Sequence, residues 1–97
     1  MPIQNTSGNE LLWRRRRARY RAWHRGMREM DLILGSYADA RVDEMDEAAM
    51  LRFEELLDEM DTDLLTWVTG QIPIPDSADK PLLKEIMAHH ASRTRPS

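Results

Sequence analysis

The sequence predicts an all-α fold, a compact bundle of about five short helices in a single domain. Three observations carry this. Apolar residues recur at three- and four-residue spacing in successive segments, as in Met27, Met30, Ile33 or Leu34, and Tyr37. No stretch alternates apolar and polar residues as a half-buried strand does, and no Asn-Gly turn marks a hairpin. Gly70, Pro73 and Pro75, with the acidic run Asp61-Thr62-Asp63, divide the periodic segments into short pieces. A chain of 97 residues with 41% hydrophobic content can bury one modest core.

The elements follow in order. Residues 1–8 read as a flexible tail, residues 9–91 as the domain and residues 92–97 as a second tail. The first helix is expected from Asn9 or Glu10 to His24, with Asn9 as its cap and Leu11, Leu12, Ala18, Tyr20, Ala22 and Trp23 as a narrow apolar stripe. The second starts near Gly26 or Met27, and Gly35 is expected to loosen its last turn. Residues 39–43 read as a connection. Asp43 is expected to cap the third helix, whose apolar face is Met45, Ala49, Phe53, Leu56, Leu57 and Met60, with a run of Asp and Glu covering the other side. Residues 61–63 cap a short fourth helix that buries Leu64, Leu65, Trp67 and Val68 and ends at Gly70. After the prolines, Asp79 and Pro81 restart a fifth helix with Leu82, Leu83, Ile86 and Met87 on its inner face.

Composition removes several function classes. There is no cysteine, hence no disulfide scaffold, thiolate metal site or thiol nucleophile. No apolar run approaches the roughly 20 residues of a membrane span. His89 and His90 are adjacent, so on a helix they point about 100° apart, and His24 stands alone; no metal site is expected. The serines lack a Gly-x-Ser-x-Gly setting, and the four glycines are too scattered for a phosphate cradle. No catalytic residue is expected.

The net charge of −3 conceals an asymmetry. Residues 1–30 carry eight arginines against two glutamates, and residues 31–97 carry six basic against fifteen acidic residues. The arginines can lie against acidic neighbours in the same molecule or steer a charged partner. Arg14, Arg15, Arg16, Arg17, Arg19 and Arg21 interleave with Trp13, Tyr20 and Trp23. Such a stripe could serve a nucleic-acid-binding or regulatory module, which is the alternative function. Few apolar anchors accompany it and the rest of the chain is acidic, so neither nucleic acid nor a membrane surface is the favoured partner.

The stretch Arg25-Gly26-Met27-Arg28-Glu29 has two readings. In one it is a tight helix–helix corner, with Arg25 and Glu29 pairing across a turn for about 0.3–0.5 kcal/mol. In the other Gly26 lets a partner backbone approach, while Arg25 offers a planar donor fork and Glu29 an acceptor, bordered by Arg28 and Asp31. The residues alone leave both open.

Trp23-His24-Arg25-Gly26-Met27-Arg28-Glu29-Met30-Asp31 resembles the signature of the SdhE-type flavinylation factors of succinate dehydrogenase, an Arg-Gly-x-x-Glu motif followed by Leu-Asp or Met-Asp. A second block, Leu56-Leu57 and then residues 61–70 with Asp61-Thr62-Asp63-Leu64 and Trp67, is similar to that family's later elements. The resemblance implies a five-helix assembly factor, not an enzyme. It would bind the flavoprotein subunit of succinate dehydrogenase, or that of fumarate reductase, and promote covalent attachment of FAD to it. The FAD would be carried by the partner and not bound by this chain directly. The resemblance carries Arg25, Gly26 and Glu29 over as partner contacts, with Trp23, His24, Arg28 and Asp31 flanking them. A monomer in the bacterial cytoplasm is expected, ahead of the mitochondrial matrix. On this reading Arg25→Ala and Glu29→Ala lose partner flavinylation with little fall in melting temperature, and Gly26→Arg abolishes docking while helicity is nearly unchanged.

Overall fold

A computed structural model describes residues 6–94, and it is all-α there. Five helices follow in order: α1 (Thr6–Trp23), α2 (Arg28–Arg41), α3 (Glu47–Leu57), α4 (Asp61–Val68) and α5 (Lys80–Thr94), with a 3-10 turn at Val42–Glu44 between α2 and α3. The expected tails fall partly outside the described residues; α1 already begins at Thr6, so Asn9 lies inside the helix and does not cap it, and α5 continues to Thr94.

Helix α2 is the centre of the bundle and touches α1, α4, α5 and the 3-10 turn. Its sequence dictates this. Met30, Ile33, Leu34, Tyr37 and Ala38 recur at helical spacing, and all are buried. Val42 extends the same face into the 3-10 turn. Phe53, Met50, Leu56 and Leu57 of α3, Leu64 of α4, and Leu82, Leu83 and Ile86 of α5 close around it. Met60, expected on the inner face of α3, is 67% exposed because the helix ends at Leu57 and the chain turns before reaching it.

Helix α1 contributes little apolar bulk. Among its described side chains Ala18 and Ala22 are fully buried, with Leu11 packed at the edge; Leu12 and Tyr20, expected in its stripe, are exposed. Small residues allow close approach to α2, and α2 answers with Gly35. A Cβ at Gly35 would lie 2.6 Å from Trp23 Cε3 and closer still to Cδ2 and Cε2. Gly35 does not loosen its helix: it is buried and forms the seat for the Trp23 indole, whose Nε1 donates to Asp39 at 3.3 Å.

The charge asymmetry resolves largely within the molecule. Arg14 clasps Glu54, with Nη2 2.7 Å from Oε1, and lies near Glu47. Arg19 meets Asp39 and Asp43, and Arg21 meets Asp58 at 2.6 Å. Arg15 donates to the Met45 carbonyl at 2.7 Å. Such surface pairs each contribute about 0–1 kcal/mol, so they orient α1 across α2 and α3 more than they stabilise it.

Helix starts were the least legible boundaries. Asp46, not Asp43, caps α3, accepting from the Ala49 N–H at 2.9 Å, because the 3-10 turn takes up residues 42–44 first. Residues 61 and 63 sit in the first turn of α4 without capping it; Met60 holds the cap position. Asp79 does cap α5, accepting from Leu82 N–H while Arg52 of α3 grips both its oxygens at 2.7 and 2.8 Å. That grip holds the Asp79 carboxyl below its ordinary pKa. Gly70, with φ of +79°, ends α4 as expected. On α5, His89 is not a solvated residue: it meets the buried Tyr37 ring edge-on at 5.8 Å.

Gly35→Ala should cost about 1–3 kcal/mol, since the indole must leave its seat. Urea unfolding of the two proteins checks this, and an unchanged midpoint would remove Gly35 from its assigned role.

Candidate functional site at the Gly26 corner

Between α1 and α2 the chain reverses through His24, Arg25, Gly26 and Met27. Gly26 takes φ of +90°, a conformation that L side chains rarely adopt, and Met27 then enters α2 in extended form. A Cβ at Gly26 would meet nothing within 4 Å. Its glycine is therefore required by backbone conformation and leaves bare main chain at the surface. The Asp31 carboxylate, from the first turn of α2, reaches back to accept the Arg25 N–H at 2.6 Å and fixes the turn.

The Arg25 side chain points inward. Its guanidinium donates through Nη1 to the Leu57 carbonyl at 2.6 Å, through Nη2 to the Glu59 carbonyl at 2.7 Å, and through Nε to Asp61 Oδ1 at 2.7 Å. Leu57 is the last residue of α3, where carbonyls lack helical partners and the helix dipole is negative, and Glu59 lies just beyond the C-cap in the turn towards α4. Asp61 lies in the first turn of α4. One planar cation thus ties the α1–α2 corner to the α3–α4 corner, and only 10% of its side chain is exposed. The expectation that Arg25 holds its fork open for a partner is revised, as is its pairing with Glu29: the ion pair is with Asp61.

The other expected residues divide. Trp23 is packed against Gly35, and Asp31 is engaged with the turn. His24 is exposed. Its Nδ1–H donates to the Tyr20 carbonyl at 2.8 Å, and its ring stacks on Tyr20 at 4.0 Å. Arg28 and Glu29 are exposed at the start of α2, and neither makes an ion pair among the described residues. The surface available to a partner is therefore His24 on Tyr20, the bare Gly26 backbone, Arg28 and Glu29. Beside it Tyr20, Arg21, His24, Arg25 and Asp61 line a shallow recess of about 290 Å³.

This motif-bearing corner lies within residues 16–90, which match the family model of the Sdh5 proteins, described as flavinator of succinate dehydrogenase. The chain belongs to this family. It is 33% identical over 79 residues to the FAD assembly factor SdhE of Acetobacter pasteurianus, covering 81% of this chain and 72% of that one. It is 36% identical over 90 residues to the mitochondrial succinate dehydrogenase assembly factor 2 of Saccharomyces cerevisiae, covering 88% of this chain. With the corresponding protein of Dictyostelium discoideum it shares 29% identity over 86 residues. The chain spans 60% of the Dictyostelium protein and 54% of the yeast protein.

Within this flavinator family chain, sequence reasoning missed Asp61 and the carbonyls of Leu57 and Glu59 as the partners of Arg25. The signal was present as the second family-like block, residues 56–70, but nothing in linear sequence says that the two blocks meet.

Arg25→Ala leaves the carbonyls of Leu57 and Glu59 and a partly buried carboxylate without their donor, at about 2–4 kcal/mol. The melting temperature should fall by roughly 10 °C or more in a domain of this size. Arg25→Lys should recover only part, because an ammonium cannot reach three acceptors spread around a planar fork. Thermal unfolding followed by circular dichroism checks both; an Arg25→Ala chain that melts with the wild type would show that the clamp is not structural.

Proposed function

We propose that this chain is an assembly factor that docks on the flavoprotein subunit of succinate dehydrogenase and promotes covalent attachment of FAD to it. The observation that carries the reading is the Gly26 corner of a flavinator family member. It presents an exposed carboxylate, Glu29, beside bare backbone on a turn held rigid from within. The names of the relatives supply the client and the task.

The division of labour follows from the geometry. Arg25 and Asp31 set the shape of the corner, so it pays little ordering entropy on binding. Glu29 and Arg28 offer an acceptor and a donor, and Gly26 allows the partner main chain to come close between them. The factor acts by binding one arrangement of the flavoprotein more tightly than others, the one in which the partner's own FAD meets its point of attachment. No residue of this chain forms a bond in that step, and FAD stays with the partner. The Gly26→Arg expectation changes accordingly. A side chain at φ of +90° strains the turn by about 1–2 kcal/mol, so loss of docking would come with loss of stability. Fumarate reductase flavoprotein is a second client under this reading, and the chain works as a monomer in the bacterial cytoplasm.

Glu29→Gln keeps size and removes the charge. Losing one charge-assisted hydrogen bond of about 1.5–3 kcal/mol should weaken docking roughly tenfold to a hundredfold. Covalent FAD survives denaturation, so in-gel flavin fluorescence of the flavoprotein reads the outcome. A bright band with wild type and a faint one with Glu29→Gln is expected; equal bands would defeat the assignment of Glu29.

A further inference from the structure

Six arginines crowd α1, and the structure sorts them into two sets. Arg14, Arg19 and Arg21 pair with carboxylates of α2, α3 and the 3-10 turn, and Arg15 donates to the Met45 carbonyl. Among the described residues Arg16 and Arg17 do neither. Both are exposed, Arg17 makes no ion pair among the described residues, and Arg16 lies over the Trp13 ring at 5.7 Å. Trp13, Arg16, Arg17 and Tyr20 are spaced i, i+3, i+4 and i+7, which puts them on one face of the helix, and His24, just past its end, stacks on Tyr20. That face is turned to solvent: Trp13 is 66% and Tyr20 63% exposed.

An arginine-rich helix needs none of these aromatics to fold here, since its buried side is Ala18 and Ala22. Large exposed aromatics next to unpaired arginines are the side chains enriched at the centre of protein interfaces. The strip ends at His24, and so runs without a break into the Gly26 corner. Trp13, with Glu10, Arg14 and Arg17, walls a recess of about 370 Å³ at its far end. Trp13 also lies before residue 16, where the family match begins.

We propose that this outer face of α1 is a second docking surface, and that it receives a carboxylate-bearing segment of the same flavoprotein that the Gly26 corner engages. This rests on the reading of the corner given above. Charge complementarity selects the occupant. Two unpaired arginines can form forked hydrogen bonds with carboxylates while Trp13 and Tyr20 cover the apolar part of the segment. A polyanion is a poorer fit. Two cations release counterions from about two phosphates, Glu10 sits at the same end, and the molecule as a whole is negative.

The test uses the full chain and purified flavoprotein subunit, with affinity measured by calorimetry at low and moderate salt. The variants are Arg16→Glu/Arg17→Glu and Trp13→Ala. All three positions are exposed, and circular dichroism confirms that the helices remain. Each variant should weaken binding at least about tenfold, and the charge reversal should also flatten the salt dependence. Wild-type affinity in both variants, with Glu29→Gln still impaired, would overturn the second surface and leave the corner standing. No binding by wild type at all would overturn both. Single-stranded DNA of 20 nucleotides is the competing probe: tighter retention of it than of flavoprotein, lost on charge reversal, would assign the strip to nucleic acid and overturn the proposal.

Discussion

The bundle depends on one guanidinium. Arg25 sits in the loop between α1 and α2, yet all three of its side-chain hydrogen bonds go to the junction between α3 and α4. Helix ends that turn sharply leave carbonyls with no partner, and burying them is costly unless a donor is supplied. In a domain this small the donor must come from elsewhere in the chain. A lysine could offer charge but not three bonds at fixed angles. The two sequence blocks that bear the family likeness are the two ends of this clamp.

The clamp separates two roles within the motif. Arg25 faces inward and fixes the corner; Glu29, four residues on, faces outward and is left without an ion pair among the described residues. Gly26 between them serves the turn by its positive φ and the surface by its missing side chain. The same sorting recurs along α1. Arginines facing acidic neighbours are taken up inside the molecule, whereas Arg16 and Arg17 face solvent beside Trp13 and Tyr20. Charge asymmetry in a sequence therefore says little until each cation's direction is known.

Helical periodicity made most of the inner faces of α2 and α5 legible, because burial on one side of a helix leaves a repeating apolar pattern, but it left Ile33 and Leu34 as alternatives where both are buried and passed over Ala38. The cap of α5 and the end of α4 were equally plain, since Asp79 and Gly70 have few other uses where they stand. Less could be read where side chains act at long range. Asp43 is the cap the sequence suggests for α3, but the 3-10 turn takes up residues 42–44 and Asp46 caps the helix instead. Gly35 looked like a weak point in a helix, because the indole that fills its space comes from Trp23, twelve residues earlier. The motif residues were identified from sequence, but the direction of Arg25 was not, because its partners lie more than thirty residues away.

Whether Arg25 serves the fold and Glu29 the partner can be decided by temperature. Flavinylation would be measured with Arg25→Ala and Glu29→Gln chains, each at a temperature well below its own unfolding midpoint. Arg25→Ala should recover most of the wild-type flavinylation once cooling restores its fold, while Glu29→Gln stays impaired although fully folded. A folded Arg25→Ala chain that remains inactive would contradict this division and return Arg25 to the docking surface.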